Sequence, residues 1–127
     1  LVKSTSGKYR TIAVTEIKED EAMVDIGINT ITDISKVAKK AKLILWNGPV
    51  GIVEEEQSRV GSDALTHIVA EVARGSAYGV IGGGDTVNLP FELGIADFVD
   101  HISTGGGAML EYVGGQSLPA LKVLKEE

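Results

Sequence analysis

The sequence contains no cysteine, few aromatic residues and no long apolar run. Aromatic side chains make up 5% of its 127 residues. Because there is no cysteine, disulfides and thiolate metal sites are excluded. The longest strand-like apolar run covers positions 43–46, far short of the ~20 residues that span a bilayer, and no charged leader precedes an apolar segment. We expect a protein that is neither membrane-bound nor secreted.

Basic side chains are also scarce relative to acidic ones. The chain carries 12 lysines and arginines against 18 aspartates and glutamates, a formal net charge of -6. Such a chain lacks the positive field that attracts nucleic-acid backbones, so we expect no nucleic-acid partner. Phosphate chemistry stays possible, because glycine loops and helix N-termini offer backbone N–H donors without basic side chains.

What the sequence does contain is the composition of a globular domain with many glycines. It is 43% hydrophobic and 24% charged, and it has 16 glycines, which we expect in turns and loops. At this size folding buries roughly two thirds of the surface of the unfolded chain, so we expect a single core. The first residue is Leu1 rather than methionine, and it falls inside an apparent strand. We therefore expect a fragment of a longer protein.

Hydrophobic periodicity predicts alternating helices and strands. Apolar spacings of three and four predict helices at 30–41 and 58–74, with shorter ones at 86–93, 108–113 and 119–124. Short apolar strands are predicted at 42–46, 78–81 and 98–102, after extended segments at 9–14 and 22–26. This order is typical of a parallel sheet with right-handed crossovers. We predict an α/β fold: a partial doubly wound, Rossmann-like sheet over 29–127 and a β-rich lead-in over 1–28.

A glycine run follows the second predicted strand of the sheet. Gly82, Gly83 and Gly84 permit positive φ and close approach to a ligand, and the helix that follows presents free N–H groups. This pattern favours a phosphate, with Asp85 as a ligand to Mg²⁺ and Thr86 as a hydroxyl donor. For Asp85 alone, a helix N-cap is an equally good interpretation.

A second glycine run, Gly105, Gly106 and Gly107, occurs one strand later. Two helix N-termini would then aim at neighbouring points, since ligands bind at the carboxyl edge of open α/β sheets. One helix can hold a phosphate and the other the group in transfer. Neither run has the glycine spacing of a dinucleotide fingerprint, and the chain has no P-loop Gly-Lys-Ser or Gly-Lys-Thr.

The loop after the first strand of the sheet combines an apolar wall with one amide and one carboxylate. It includes Asn47, Pro49, Ile52 and Glu54 and would suit a purine and its ribose. A solvated strand-to-helix connection, with Glu54 in an acidic run, is the simpler alternative. His67 and His101 show no metal or triad spacing, so we expect structural roles for both.

Taken together, segments 46–54, 82–86 and 101–108 resemble phosphoglycerate kinase. Their order and spacing, with the additional segment 25–30, are similar to the C-terminal, nucleotide-binding domain of that family over nearly the whole chain. The family transfers a phosphoryl group between 1,3-bisphosphoglycerate and ADP with magnesium, in a glycolytic, cytoplasmic enzyme. The resemblance implies that this chain is a C-terminal fragment of such a kinase.

The resemblance also implies roles for single residues. Asn47, Pro49, Ile52 and Glu54 would line the adenosine site of ADP or ATP, with Glu54 on the ribose. Asp85 would coordinate Mg²⁺, and Thr86 with the preceding glycines would hold phosphates. The run at 105–107 would open the helix that faces the transferred group.

The chain departs from the family pattern in several places. It lacks the N-terminal domain, through which 3-phosphoglycerate or 1,3-bisphosphoglycerate binds, and the glycine-lysine segment whose lysines meet the nucleotide phosphates. Val53 replaces the usual phenylalanine, and Ile28 the usual proline. We therefore expect negligible kinase activity from this chain alone.

Two further expectations follow. A truncated parallel sheet exposes an unpaired strand edge, which predicts self-association. The alternative to a kinase fragment is a stand-alone, non-catalytic nucleotide-binding or interaction module. The upstream coding sequence distinguishes the two, because it either continues into the missing domain or begins with its own start codon.

Overall fold

The β-rich lead-in forms a small antiparallel sheet. In the computed structural model, which describes residues 1–125, its strands lie in the order β2-β1-β3. Val2 lies opposite Arg10 on one side and Met23 on the other. The strands are β1 Val2–Ser4, β2 Tyr9–Arg10 and β3 Glu21–Met23.

The remaining strands form a parallel sheet of order β4-β5-β6. Leu45 lies opposite Val80, and Val80 lies opposite His101. Neighbouring strands are consecutive in the chain, and helices connect them. The prediction of an α/β fold with a parallel sheet and a β-rich lead-in is confirmed. The strands are β4 Leu43–Asn47, β5 Tyr78–Gly82 and β6 His101–Ser103.

Helices precede, connect and follow the strands of the parallel sheet. Within residues 1–125 no helix is long and apolar enough to cross a membrane. The helices are α1 Ile28–Ala38, α2 Val60–Ala73, α3 Leu89–Glu92, α4 Gly106–Val113 and α5 Pro119–Lys125.

Several predicted element boundaries were wrong, and short 3-10 turns explain three of the errors. The predicted strand 9–14 ends at Arg10, because the chain turns at Val14–Glu16, where the Glu16 carboxylate accepts the Ala13 N–H. Likewise, 3-10 turns at 86–88 and 96–98 shorten the predicted helix 86–93 and strand 98–102. Periodicity does not separate a 3-10 turn from the end of an adjoining element.

The core lies between the sheet and helices α1 and α2. Val69 of α2 packs with the fully buried Ile81 of β5, and Val72 of α2 packs with Ala38 of α1. Helix α2 approaches the sheet so closely that a Cβ added at Gly79 would lie 2.9 Å from the Ala73 Cβ. Four apolar residues of the stripe predicted for this helix, Leu65, Ile68, Val69 and Val72, are buried, whereas Ala64 is partly buried and Val60 is exposed.

Charged contacts attach the lead-in to the parallel-sheet unit. The Lys3 ammonium lies 2.7 Å from the Glu55 carboxylate, which also accepts the Tyr9 hydroxyl. The buried Asp25 carboxylate accepts the Gly61 N–H at 2.7 Å, in the first turn of α2. The start of α2 is thereby capped by a residue 36 positions away in the chain.

Both outer strands of the parallel sheet have an unpaired edge within the described residues. Strand β4 pairs only with β5, and β6 pairs only with β5. A groove beside β4 is walled by apolar side chains of α1 and β4, including the exposed Val37 and Leu43. Self-association through such an edge stays a prediction.

Glu21 predicts how stability responds to acid. Arg10 donates to this carboxylate at 2.6 Å, and the hydrogen bond lowers the pKa of Glu21 from 4.5 to about 2. A depressed folded-state pKa stabilises the fold above about pH 4.5, and that stabilisation is lost as pH falls toward about 2. Glu21→Gln should therefore lower the free energy of unfolding at neutral pH, and the deficit should vanish near pH 2.

Urea unfolding at several pH values measures this difference. The matched control is Glu111→Gln, on exposed surface of α4, whose difference from the unaltered chain should be small throughout. A Glu21→Gln deficit that stays constant from neutral pH to about pH 2 would contradict the account.

Candidate functional site

The carboxyl ends of β4, β5 and β6 meet around the side chain of Asn47. The Gly48 N–H donates to the Gly82 carbonyl at 3.2 Å, which ties the loop after β4 to the end of β5. A Cβ added at Gly82 would lie 3.0 Å from the Asn47 Oδ1, and one added at Gly106 would lie 2.3 Å from the same atom. The structure thus brings together residues from all three predicted loops.

The two glycine runs touch through their backbones. A Cβ added at Gly106 would lie 2.6 Å from the Gly83 nitrogen, a distance that real Cβ atoms do not reach. Gly83 itself has φ +101°, in the region that favours glycine. By contrast, Gly84 and Gly107 have open space where a Cβ would be. Close packing therefore requires glycine at some positions of each run and leaves others open.

Asp85 projects from the end of the first run into solvent. Its side chain makes no capping hydrogen bond to the 3-10 turn that follows, so the N-cap interpretation is wrong for this structure. Thr86 is fully buried, and its Oγ1 has no hydrogen-bond partner among the described residues. This hydroxyl lies next to Gly83: a Cβ added at Gly83 would be 3.4 Å from the Thr86 Oγ1.

The second run opens helix α4. Gly105 precedes its first residue, and the Met109 N–H donates to the Gly105 carbonyl at 2.8 Å. In an α-helix the N–H groups of the first turn have no partner within the helix. The first turn of α4 therefore presents backbone donors and the positive end of the helix dipole beside the loop at Gly83.

The loop after β4 is held by hydrogen bonds on both sides. The Val50 N–H donates to the Ser62 Oγ of α2 at 3.1 Å, and the Ile52 N–H donates to the Val24 carbonyl at 3.2 Å. A Cβ added at Gly51 would lie 2.0 Å from the Ser58 carbonyl oxygen, so this loop too needs a glycine. The apolar wall and Glu54 are carried by a fixed connection.

Glu54 and Asp85 line the same cleft, although they lie 31 positions apart in the sequence. Both carboxylates are exposed. Pro49 and Ile52 are on the same loop as Glu54 but do not line this cleft. The other lining residues are Val53, Arg59, Asn88, Leu89 and Glu92.

The acidic run 54–56 divides into residues with different surroundings. The Glu55 carboxylate has a lowered pKa, caused first by the hydrogen bond from Lys3 and then by that from Tyr9. Glu54 and Glu56 are exposed. Glu54 is thus a carboxylate facing the cleft, beside a neighbour that is engaged in holding the lead-in.

The charge of the cleft is dominated by carboxylates with one cation among them. No group of three or more histidine, aspartate or glutamate residues within 1–125 is arranged to hold a metal ion. Asp85 would therefore have to share a cation with ligands from outside the protein. His67, on α2, and His101, on β6, are both exposed and do not line the cleft, and the structural roles expected for them stay a prediction.

Sequence reasoning missed Arg59, Glu92 and Asp25. Arg59 and Asp63 are four positions apart, a readable helical pair, but the partnership of Arg59 with Glu92 spans 33 positions. The position of the Asp25 carboxylate, near Gly51 and Gly61, is also set by packing between residues distant in the sequence. Only the Arg59–Asp63 spacing offered a signal in the sequence.

A protein-family model described as phosphoglycerate kinase matches residues 2–116. The chain belongs to the phosphoglycerate kinase family. A phosphoglycerate kinase of Mannheimia succiniciproducens is 43% identical over 114 residues, which cover 90% of this chain and 29% of that protein. One of Haemophilus influenzae strain PittGG is equally similar, with the same identity and the same coverage.

Solved phosphoglycerate kinase structures share the fold. The Coxiella burnetii enzyme superimposes with a TM-score of 0.83 and 34% identity, covering 98% of this chain and 32% of that chain. The Pyrococcus horikoshii OT3 enzyme gives a TM-score of 0.80 and 30% identity, with 98% and 31% coverage. The chain thus spans about 30% of the length of the phosphoglycerate kinases it matches.

Adjacent glycines of the second run provide a matched test of the backbone contact between the two runs. Gly106→Ala places a Cβ against the Asn47 amide and the Gly83 backbone, whereas Gly107→Ala meets open space. Both variants gain helix propensity, so their difference isolates the clash, which should cost about 1–3 kcal/mol. Urea unfolding measures it, and equal stabilities of the two variants would contradict the described packing.

Proposed function

We propose that this chain is part of the C-terminal, nucleotide-binding domain of a phosphoglycerate kinase. The whole enzyme would transfer a phosphoryl group reversibly between 1,3-bisphosphoglycerate and ADP, in the cytoplasm. One observation carries the proposal: the two glycine runs and the Asn47 amide meet at the carboxyl edge of the parallel sheet. That edge is where open α/β sheets bind ligands.

The loop after β4 would hold the adenosine part of ADP or ATP. Ile52 is 39% exposed and offers an apolar surface on a fixed loop, and Pro49 lies on the same loop. The exposed Glu54 carboxylate can accept hydrogen bonds from two ribose hydroxyls. Asn47, at the meeting point of the loops, lies between this half of the site and the glycine runs.

The loop after β5 would hold the nucleotide phosphates and their magnesium ion. Mg²⁺ is usually bound by one or two carboxylates together with phosphates and water, and Asp85 is an exposed carboxylate with no capping bond. The residues therefore fit the ion, which would screen the negative charge of the phosphates when bound. The backbone of Gly82, Gly83 and Gly84 permits close approach of a phosphate.

Thr86 has a less direct part in the proposal. Its hydroxyl is buried without a partner, and a phosphate oxygen at the glycine loop would supply an acceptor after a small shift of the loop. The N-terminus of α4, at Gly105, Gly106 and Gly107, would then face the group in transfer. Its backbone donors would stabilise negative charge that develops there.

The chain on its own should turn over negligibly. Holding both reactants in one geometry supplies about 7–11 kcal/mol of barrier reduction, and we propose that the acid substrate binds to parts of the enzyme outside this sequence. A coupled spectrophotometric assay with 3-phosphoglycerate and Mg-ATP measures this. Turnover close to that of an intact enzyme would contradict the proposal that the acid substrate binds outside this sequence.

Calorimetric titration with Mg-ADP tests the site without the rest of the enzyme. Asp85→Ala should weaken Mg-ADP binding by roughly tenfold or more, because it removes a charged ligand to the magnesium ion. Glu54→Ala should weaken Mg-ADP and adenosine by a similar factor, because the ribose is common to both.

Two exposed carboxylates near these positions serve as controls. Glu56→Ala removes a neighbouring charge of the acidic run, and Asp97→Ala removes one from the turn before β6. Neither should change Mg-ADP affinity. Equal effects of the controls and the site variants would mean that net charge, rather than this site, governs binding.

A further inference from the structure

Arg59 connects helices α2 and α3 beside the candidate cleft. Its Nε lies 3.1 Å and 3.2 Å from the two carboxylate oxygens of Asp63, on α2. Its Nη2 donates to the Glu92 carboxylate, on α3, at 2.8 Å. Together the carboxylates of Asp63 and Glu92 raise the pKa of Arg59, so the guanidinium is charged at any working pH.

The element that Arg59 holds is short and carries the glycine loop. Helix α3 has four residues, too few to be stable without tertiary contacts. Leu89, at its start, is buried against the core, while Glu92, at its end, is tied to α2 only through the Arg59 side chain among the hydrogen bonds within residues 1–125. The segment from Gly82 to Asp85 is joined to this helix by the 3-10 turn at 86–88.

The cleft places the bridge between the two proposed halves of the site. Arg59 and Glu92 line it together with Glu54 of one loop and Asp85 of the other. No other lysine or arginine lines this cleft in the described part of the chain. Since Asp63 already fixes one side of the guanidinium, little additional side-chain freedom is lost when it binds Glu92.

We infer that Arg59 is a positioning residue, which through Glu92 sets the separation of the loop carrying Asp85 from the loop carrying Glu54. This inference rests on the proposed nucleotide site. The Glu92 side chain is 52% exposed and that of Arg59 is 25% exposed, so the pair adds little to global stability. Its effect falls on geometry, because it limits the motion of one short helix beside the cleft.

Glu92→Ala distinguishes a role of Arg59 in positioning the loop from a role in the stability of the whole chain. Glu92→Ala leaves the Arg59–Asp63 pair in place and removes only the bond across the cleft. It should weaken Mg-ADP, which contacts both loops, by roughly threefold to thirtyfold. It should leave adenosine, which contacts only the loop carrying Glu54, unchanged.

Arg59→Ala and the double variant complete the test. Each should weaken Mg-ADP to about the same extent as Glu92→Ala, because the Arg59–Glu92 bond is lost in all three and Asp63, whose pairing Arg59→Ala also removes, does not line the cleft. Asp33→Asn is the control, since it weakens an exposed ion pair with Lys36 on α1 that has a similar length, 2.9 Å, and lies away from the cleft. It should change neither affinity.

A second measurement tests the bridge without any nucleotide. The chain has no cysteine, so spin labels can be attached at Gln57→Cys, in the turn before α2, and at Phe91→Cys, on α3. Both positions are exposed. The distance distribution between the labels should be narrow in the unaltered background and broader with Glu92→Ala.

The outcomes separate this inference from the proposed function. Broader distances together with selective loss of Mg-ADP affinity support it. Unchanged distances overturn the bridge, whatever the chain binds, and equal losses of Mg-ADP and adenosine overturn positioning in favour of a general structural role. If the unaltered chain binds neither Mg-ADP nor adenosine, the proposed function is wrong, and so is the effect of Arg59 on nucleotide binding. The distances between the spin labels still show whether the Arg59–Glu92 bond holds α3 in place.

Discussion

The structure depends on a backbone contact between Gly83 and Gly106 that leaves no room for a side chain. The loops after β5 and β6 touch through the backbones of Gly83 and Gly106, and both enclose the Asn47 amide that ends β4. Because these contacts are between backbone atoms, the carboxyl edge of the sheet can present N–H groups and the first turn of α4 at close quarters. A larger residue at Gly83 or Gly106 would force the loops apart and remove that arrangement.

The surrounding contacts keep this edge in one geometry. Asp25 caps α2 from the lead-in, and Ser62 holds the loop after β4, so the proposed adenosine side is fixed by the domain itself. The proposed phosphate side is held by the burial of Thr86 and Leu89 and, at the far end of a short helix, by the Arg59–Glu92 bond.

The sequence allowed the architecture to be predicted better than the details of the cleft. Apolar periodicity predicted the alternation of helices and strands, because the two repeats differ and each buries one face. The glycine runs predicted which loops converge, since parallel strands end at one edge. What could not be predicted depends on contacts between distant residues: the partnership of Asp25 with Gly61, the separate surroundings of Glu54 and Glu55, and the 3-10 turns that shorten several elements.

The central claim is that the three loops at the edge of the sheet form one nucleotide site. Two-dimensional amide NMR during titration with Mg-ADP tests it most directly, because every loop glycine has its own signal. The account predicts shift changes concentrated in 47–54, 82–88 and 105–108, with little change in the antiparallel lead-in strands. Saturable changes confined to other parts of the chain, such as the groove beside β4, would contradict it.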